Sequence, residues 1–330
     1  MALLEVNNLK TYYYLKAGAV KAADDVTFSV EKGESFGLAG ESGCGKSTAA
    51  YSILRMPPYP GRIVGGEILY DGKDLVKVSD GYMRKQVRWK KISMIFQGAM
   101  NALNPVFKVG DQIAEAITLH ERRVKKEELN DRVAKLLEMV GIDSKRIEDY
   151  PHEFSGGMKQ RAMIAMSLAN DPELVIADEP ITALDVVVQG HIMELLNSLK
   201  KKLNLSYILI THDLSVVAET CDRVAIMYAG KIAEIADVTT IFKNPAHPYT
   251  QGLIGAFPSL IGEKKRLAGI PGAPPDLINP PAGCLFNPRC PFVMDICRKE
   301  EPPEIEIKPG HTAACWLHSD RVKKAKKTKK

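Results

Sequence analysis

Gly40-Glu41-Ser42-Gly43-Cys44-Gly45-Lys46-Ser47, followed by Thr48, reads G-x-x-x-x-G-K-S. Glycines at these places let the backbone wind tightly, so that successive N–H groups point at phosphate oxygens. Lys46 brings a point charge to the β- and γ-phosphates, and the Ser47 hydroxyl is suited to ligate Mg²⁺. Residues 35–39 are a short apolar run that suits a buried strand. Residues 46–54 suit a helix whose positive N-terminus faces the anion. Strand before and helix after make this a phosphate loop rather than a glycine-rich surface turn.

Working outward, residues 4–9 and 26–30 read as strands, with Tyr12-Tyr13-Tyr14 between them. A tyrosine there can stack on adenine, but strand alternation puts only some of the three on one face. Downstream of the loop, residues 68–70 and the turn Asp71-Gly72-Lys73 suggest a hairpin piece. Residues 92–97 form a buried-type strand ending in Gln97, at a strand C-terminus where open α/β sheets place ligand groups. Residues 109–120 and 127–140 carry apolar side chains at helical spacing, with Gly141 as the C-cap. They predict a helical insert at about 98–158. Ser155 is a good N-cap for the next helix, and Gly156 and Gly157 leave its N-terminus open to a close ligand.

Leu174-Val175-Ile176-Ala177 runs into Asp178-Glu179. A buried strand ending in paired acids, downstream of a phosphate loop, suits magnesium nucleotide chemistry. Asp178 is expected in the Mg²⁺ shell and Glu179 as the group that polarises the attacking water. Ala183-Leu184-Asp185 precedes a helix to about 202. His212 ends another buried strand at 207–211, and residues 223–227 and 231–235 suggest a hairpin about Ala229-Gly230.

These motifs, in this order, resemble the ATP-binding cassette ATPases over about residues 1–240. The resemblance implies an α/β fold of the P-loop NTPase (RecA-like) kind, with an antiparallel β subdomain and the helical insert. It implies two cassettes facing head to tail, each ATP held between the phosphate loop (Gly40, Ser42, Gly43, Cys44, Gly45, Lys46, Ser47, Thr48) of one and Ser155-Gly156-Gly157 of the other. It further implies Glu179 as base, His212 at the γ-phosphate, Gln97 with Ser47 and Asp178 about Mg²⁺, Asp185 beside the nucleotide, and Tyr13 on the adenine. Met158 stands where many members of the family have Gln. One set of motifs per chain implies pairing with a second cassette, identical or related.

The chain has 330 residues, enough for two or three domains, and is 45% hydrophobic. No apolar run approaches the roughly 18 residues that span a bilayer, and the N-terminus lacks a basic region followed by an apolar core, so a cytosolic location is expected. The net charge is +5, and seven basic residues lie in positions 321–330. Without those seven the remainder is at −2, and 321–330 is expected to be a disordered, solvated basic tail rather than a nucleic-acid contact.

From 241 to 320 the character changes. Ten of the 20 prolines fall between Pro271 and Pro309, which excludes most regular helix. Four of the six cysteines lie here as Cys284, Cys290, Cys297 and Cys315. In a cytosolic protein disulfides are disfavoured, and the spacing leaves Zn²⁺ and an iron–sulfur cluster about even. Asn244-Pro245-Ala246-His247-Pro248-Tyr249-Thr250, Ile270-Pro271-Gly272 and Gly283-Cys284-Leu285-Phe286-Asn287-Pro288-Arg289-Cys290 are similar to the C-terminal extension of dipeptide and oligopeptide importer ATPases, and residues 96–105 to their Gln loop. That resemblance implies a [4Fe-4S] cluster on the four cysteines. It also implies two transmembrane permease subunits, an extracytoplasmic substrate-binding protein, and a peripheral place on the cytoplasmic face of the cell membrane. Nickel or oligosaccharide import, and a soluble ATPase acting on nucleic acid or ribosomes, are the alternatives.

Overall fold

Alternating and continuous apolar runs set the strands of this chain, and the computed structural model describes them within residues 2–98, 102–121, 123–256 and 269–322. Residues 99–101 of the expected Gln loop and the tail beyond 322 lie outside the described residues. The chain folds as two units. One comprises Met1–Leu3, Val30–Ser35 and Asp74–Ile210; the other comprises Leu4–Ser29, Phe36–Lys73 and Thr211–Lys330.

The strands are β1 (Ala2–Leu15), β2 (Gly18–Glu31), β3 (Ser35–Ala39), β4 (Gly61–Tyr70), β5 (Lys73–Asp74), β6 (Ile92–Ile95), β7 (Leu174–Asp178), β8 (Ser206–Thr211), β9 (Arg223–Tyr228), β10 (Lys231–Asp237), β11 (Glu304–Lys308) and β12 (His311–Ala314). In the unit built around residues 74–210, β6, β7 and β8 run parallel, with Ile95 opposite Ala177 and Ala177 opposite Leu209. Every residue of β6, β7 and β8 is buried, as continuous apolar runs in a parallel sheet require. The helical insert is present: Val109–Thr118 buries Val109, Ile113, Ala116 and Ile117, and Lys126–Met139 buries Val133, Leu136 and Leu137. Both sets follow the i, i+3, i+4 spacing of one helical face. Gly141 takes φ 74°. Its N–H donates to Glu138 O and that of Ile142 to Leu137 O, closing the second helix as expected.

The other unit holds an antiparallel layer in the order β2-β1-β4-β5 and, separately, the run β11-β12-β10-β9-β3. β3 pairs in parallel with β9 (Leu38 opposite Ala225), while β10 pairs antiparallel with both β9 and β12 (Ile235 opposite Ala225, Glu234 opposite Ala313). β1 and β2 are longer than the apolar patterning suggests, 14 residues each. The tyrosine run is the end of β1, where Tyr12 faces Arg62 and Tyr13 faces Gly61 of β4.

The proline-rich stretch 271–309 forms no α-helix, as its composition requires, yet it supplies β11, and β12 follows directly. One core takes Val224, Ile226 and Tyr228 from β9 together with Tyr249 and Phe286 from the C-terminal stretch. Three aromatic rings meet there: Tyr228 and Tyr249 lie 4.5 Å apart between centroids, and Phe286 stands edge-on to Tyr228 at 5.2 Å. In the same unit Glu234, fully buried, accepts from the N–H groups of Ala246 and His247 at 2.7 and 2.9 Å and bonds His311 Nε2 at 2.8 Å. A buried carboxylate must be satisfied in this way, and doing so ties the start of the helix Pro248–Gly255 to β10 and β12.

Candidate functional site

The phosphate loop joins β3 to the helix Lys46–Ile53. Gly40 and Gly45 have φ of 150° and 106°, and a Cβ would overlap Met227 O at the first and Ala22 O at the second. These glycines are demanded by the loop's own walls. Gly43, at φ 79°, faces open space. Lys46 is 6% exposed, and its ammonium donates to Gly40 O at 2.8 Å and Glu41 O at 3.0 Å, crossing the mouth of the loop. Cys44 is buried, and that burial pushes its thiol pKa up.

The neighbouring tyrosines separate cleanly. Tyr12 Oη donates to Asp24 at 2.6 Å, Tyr14 is half exposed, and Tyr13 Oη lies 3.3 Å from Thr48 Oγ1. Of the three, the hydroxyl of Tyr13 reaches the phosphate-loop helix.

In the other unit, Gln97 lies two residues past β6 and its Nε2 donates to Glu179 Oε2 at 2.9 Å. Thr182 Oγ1 donates to the same oxygen at 3.0 Å. Asp178, the last residue of β7, is fully buried. Glu179 takes the left-handed φ of 47°, and its N–H donates to Ile210 O.

Ser155 is exposed and caps the helix Gly156–Ser167, accepting from Met158 N at 3.3 Å. A Cβ at Gly157 would come 2.8 Å from Val188 Cγ1, so that glycine also serves packing within its own chain. Asp185 caps Val186–Leu203 by accepting from Val188 N at 3.0 Å. Val186 and Val187 beside it are 81% and 67% exposed. His212 follows β8 and is exposed.

Cys284, Cys290, Cys297 and Cys315 carry no disulfide, and all four line one pocket with Phe286, Phe292 and Trp316. Burial pushes the thiol of Cys284 up to about 12 and that of Cys315 to about 11, and raises that of Cys290. An apolar wall of this kind favours the neutral thiol over the thiolate. Among the described residues, no group of three or more His, Cys, Asp or Glu is arranged to hold a single metal ion.

Comparison with known proteins decides the family. The model described as "ABC transporter" matches residues 23–182, and that described as "Oligopeptide/dipeptide transporter, C-terminal region" matches 233–297. A probable peptide ABC transporter ATP-binding protein of Sinorhizobium fredii is 48% identical over 97% of this chain and 96% of its own. The chain belongs to the ATP-binding cassette transporter family. The dipeptide transport ATP-binding protein DppD of Bacillus subtilis is 47% identical over 98% of this chain and 97% of its own. Among solved structures, a dimeric ATP-binding cassette in a post-hydrolysis state, bound to ADP and phosphate, superposes with a TM-score of 0.64 at 26% identity. It covers 71% of this chain and 98% of its own. The fold is that of a cassette ATPase, and the family hydrolyses ATP. No helix among the described residues is long and apolar enough to cross a membrane.

Sequence reasoning missed Arg289, Tyr249 and Glu234. The first two bond Glu41 of the phosphate loop (Nη1 and Nη2 of Arg289 to its carboxylate, Tyr249 Oη to its N–H). The similarity of residues 283–290 to an importer extension was the one available signal that Arg289 mattered.

Proposed function

We propose that this chain is the ATP-hydrolysing subunit of an importer that takes up dipeptides or oligopeptides. It would sit peripherally on the cytoplasmic face of the membrane. The observation that carries this reading is the pairing, on one chain, of a cassette with an oligopeptide/dipeptide transporter C-terminal region. Its partners in this reading are a second cassette, two permease subunits and an extracytoplasmic substrate-binding protein. Exposed Ser155, Gly156, Asp185, Val186 and Val187 support a face that receives another cassette.

In a working dimer the loop 40–48 would cradle the triphosphate and Lys46 would neutralise it, while Ser47, Gln97 and Asp178 are the residues that would hold Mg²⁺. Glu179, aligned by Gln97 and Thr182, polarises the water. His212 meets the γ-phosphate, Tyr13 the adenine, and Ser155-Gly156-Gly157 the nucleotide of the partner cassette. For the cysteines the reading is a [4Fe-4S] cluster rather than Zn²⁺. The four thiols share one pocket, and the choice of a cluster over a single ion rests on the resemblance to importer extensions; among the described residues no group of three is arranged to hold a metal ion. Bound there, the cluster would pin the proline-rich stretch.

The test is ATP turnover of the membrane complex purified through this chain, with and without its binding protein and a dipeptide mixture, with Glu179→Gln as the blank. Stimulation by peptide is expected. Turnover that ignores peptides, or the lack of a membrane partner, would move the assignment to another solute or to a soluble ATPase.

A further inference from the structure

Glu41 occupies a variable position of the phosphate loop, yet each of its polar groups is bound. Its carbonyl accepts from Lys46 Nζ at 3.0 Å, and its N–H donates to Tyr249 Oη at 2.9 Å. Its carboxylate receives a two-pronged bond from Arg289, Nη1 to Oε2 at 2.7 Å and Nη2 to Oε1 at 2.9 Å. Arg289 is 4% exposed in its side chain. Its remaining donors are also used: Nε donates to Pro271 O at 2.9 Å and Nη2 to Ile270 O at 3.3 Å, while Nη1 lies 3.4 Å from Tyr228 Oη. A guanidinium held on every side by fixed acceptors is a rigid fork, and such a fork sets the geometry of the carboxylate it grips.

The charge matters as much as the geometry. Glu41 is the immediate neighbour of Gly40, whose carbonyl also receives Lys46. An uncompensated carboxylate at this point would draw the Lys46 ammonium to itself and repel a triphosphate. In a half-buried setting one unit charge acting over a few residues' distance changes anion affinity by about tenfold or more.

We propose that Arg289 is a positioning residue for ATP binding: from the cysteine-bearing stretch it clamps Glu41, cancels its charge and holds the phosphate loop open for the triphosphate. It rests on the assignment of residues 40–47 as the triphosphate site. By this route the order of the residues flanking Cys290 reaches the nucleotide through one side chain.

The experiment is a double-mutant cycle on the full chain, measuring equilibrium binding of a fluorescent ATP analogue and the KM and kcat of ATP hydrolysis. Arg289→Met is expected to weaken ATP binding and raise KM about tenfold while kcat changes less than threefold. In the Glu41→Gln background the same substitution is expected to cost less than threefold, because no charge is left to cancel. Arg289→Lys keeps the charge and loses the fork. It is expected to give an intermediate KM, and it carries the test if the Met variant does not fold. Unchanged binding in both Arg289 variants, or an undiminished loss in the Glu41→Gln background, would overturn the proposal. Lys46→Ala separates the two layers: ATP binding that survives it would remove the triphosphate assignment itself, whatever Arg289 does.

Discussion

Two loops of this chain contain a glycine whose place a side chain cannot take, and they differ in how far the sequence must travel to build them. In the phosphate loop, Gly40 and Gly45 turn tightly between β3 and the next helix, inside one eight-residue motif. In the cysteine loop, Gly283 has φ 72° and a Cβ there would overlap Cys297 O. Cys284 N donates to that same carbonyl at 2.8 Å, and the pocket closes only when Cys315 arrives from beyond β12. The first loop is a local device and the second an assembled one. Local devices leave a signature in sequence; assembled ones leave only their parts.

The sharpest way to break the comparison is at the carboxylate next to Asp178. Glu179→Gln keeps the side chain's size and its backbone setting but removes the carboxylate proposed as the base. Turnover is expected to fall by about 10²–10⁴-fold while ATP still binds and the dimer becomes more durable. Single-turnover hydrolysis and a sizing measurement with ATP check both halves. Normal turnover would remove Glu179 from the chemistry.

Next comes the backbone of the loop itself. Gly45→Ala forces a Cβ into Ala22 O and is expected to cost about 3 kcal/mol or more in stability. Gly43→Ala also places alanine at a positive φ but meets no atom within 4 Å, so about 1 kcal/mol is expected. Thermal melts of the two variants side by side test whether the loop's walls, rather than its dihedral angles alone, demand glycine. Equal losses would show that they do not.

The assembled loop should yield in a different way. Cys315→Ser removes the thiol that arrives last. Under the cluster reading, anaerobically purified protein is expected to lose its broad visible absorption and most of its iron, with the ATP motifs left in place. Stoichiometric zinc in the unsubstituted protein, with no visible absorption, would replace the cluster by a single ion.

The same contrast explains what was legible. The parallel strands, the helices of the insert, the Ser155 cap and the order of the motifs follow from apolar runs, helical spacing and short-range chemistry, and the structure has them. Gln97 and Glu179 lie 82 residues apart in sequence, and their meeting was foreseeable because each ends a strand of one parallel sheet. Strand alternation alone could not choose among Tyr12, Tyr13 and Tyr14, and β1 continues through all three. β11 was missed although Glu304-Ile305-Glu306-Ile307-Lys308 alternates as a half-buried strand should; prolines on either side drew attention away. Glu234 and Arg289 were illegible for a harder reason. A buried carboxylate or guanidinium is recognisable by its partners, and those lie 12, 13 and 77 residues from Glu234, while the carboxylate that Arg289 grips lies 248 residues from it.

The smallest effect separates two jobs of one side chain. Ser155 caps its own helix through Met158 N, and it is also proposed to face the nucleotide of a partner cassette. Ser155→Ala is expected to cost about 1 kcal/mol of stability, whereas Ser155→Gly, which tolerates the cap conformation, should cost only a few tenths. If the cap were the whole role, ATPase activity would follow that order, with the glycine variant close to the parent. If the hydroxyl also serves the partner's nucleotide, both variants lose turnover alike despite their different melting points. Parallel melts and turnover assays on the two variants therefore decide whether this helix start is a local device only, or the place where one chain's local device becomes half of another chain's site.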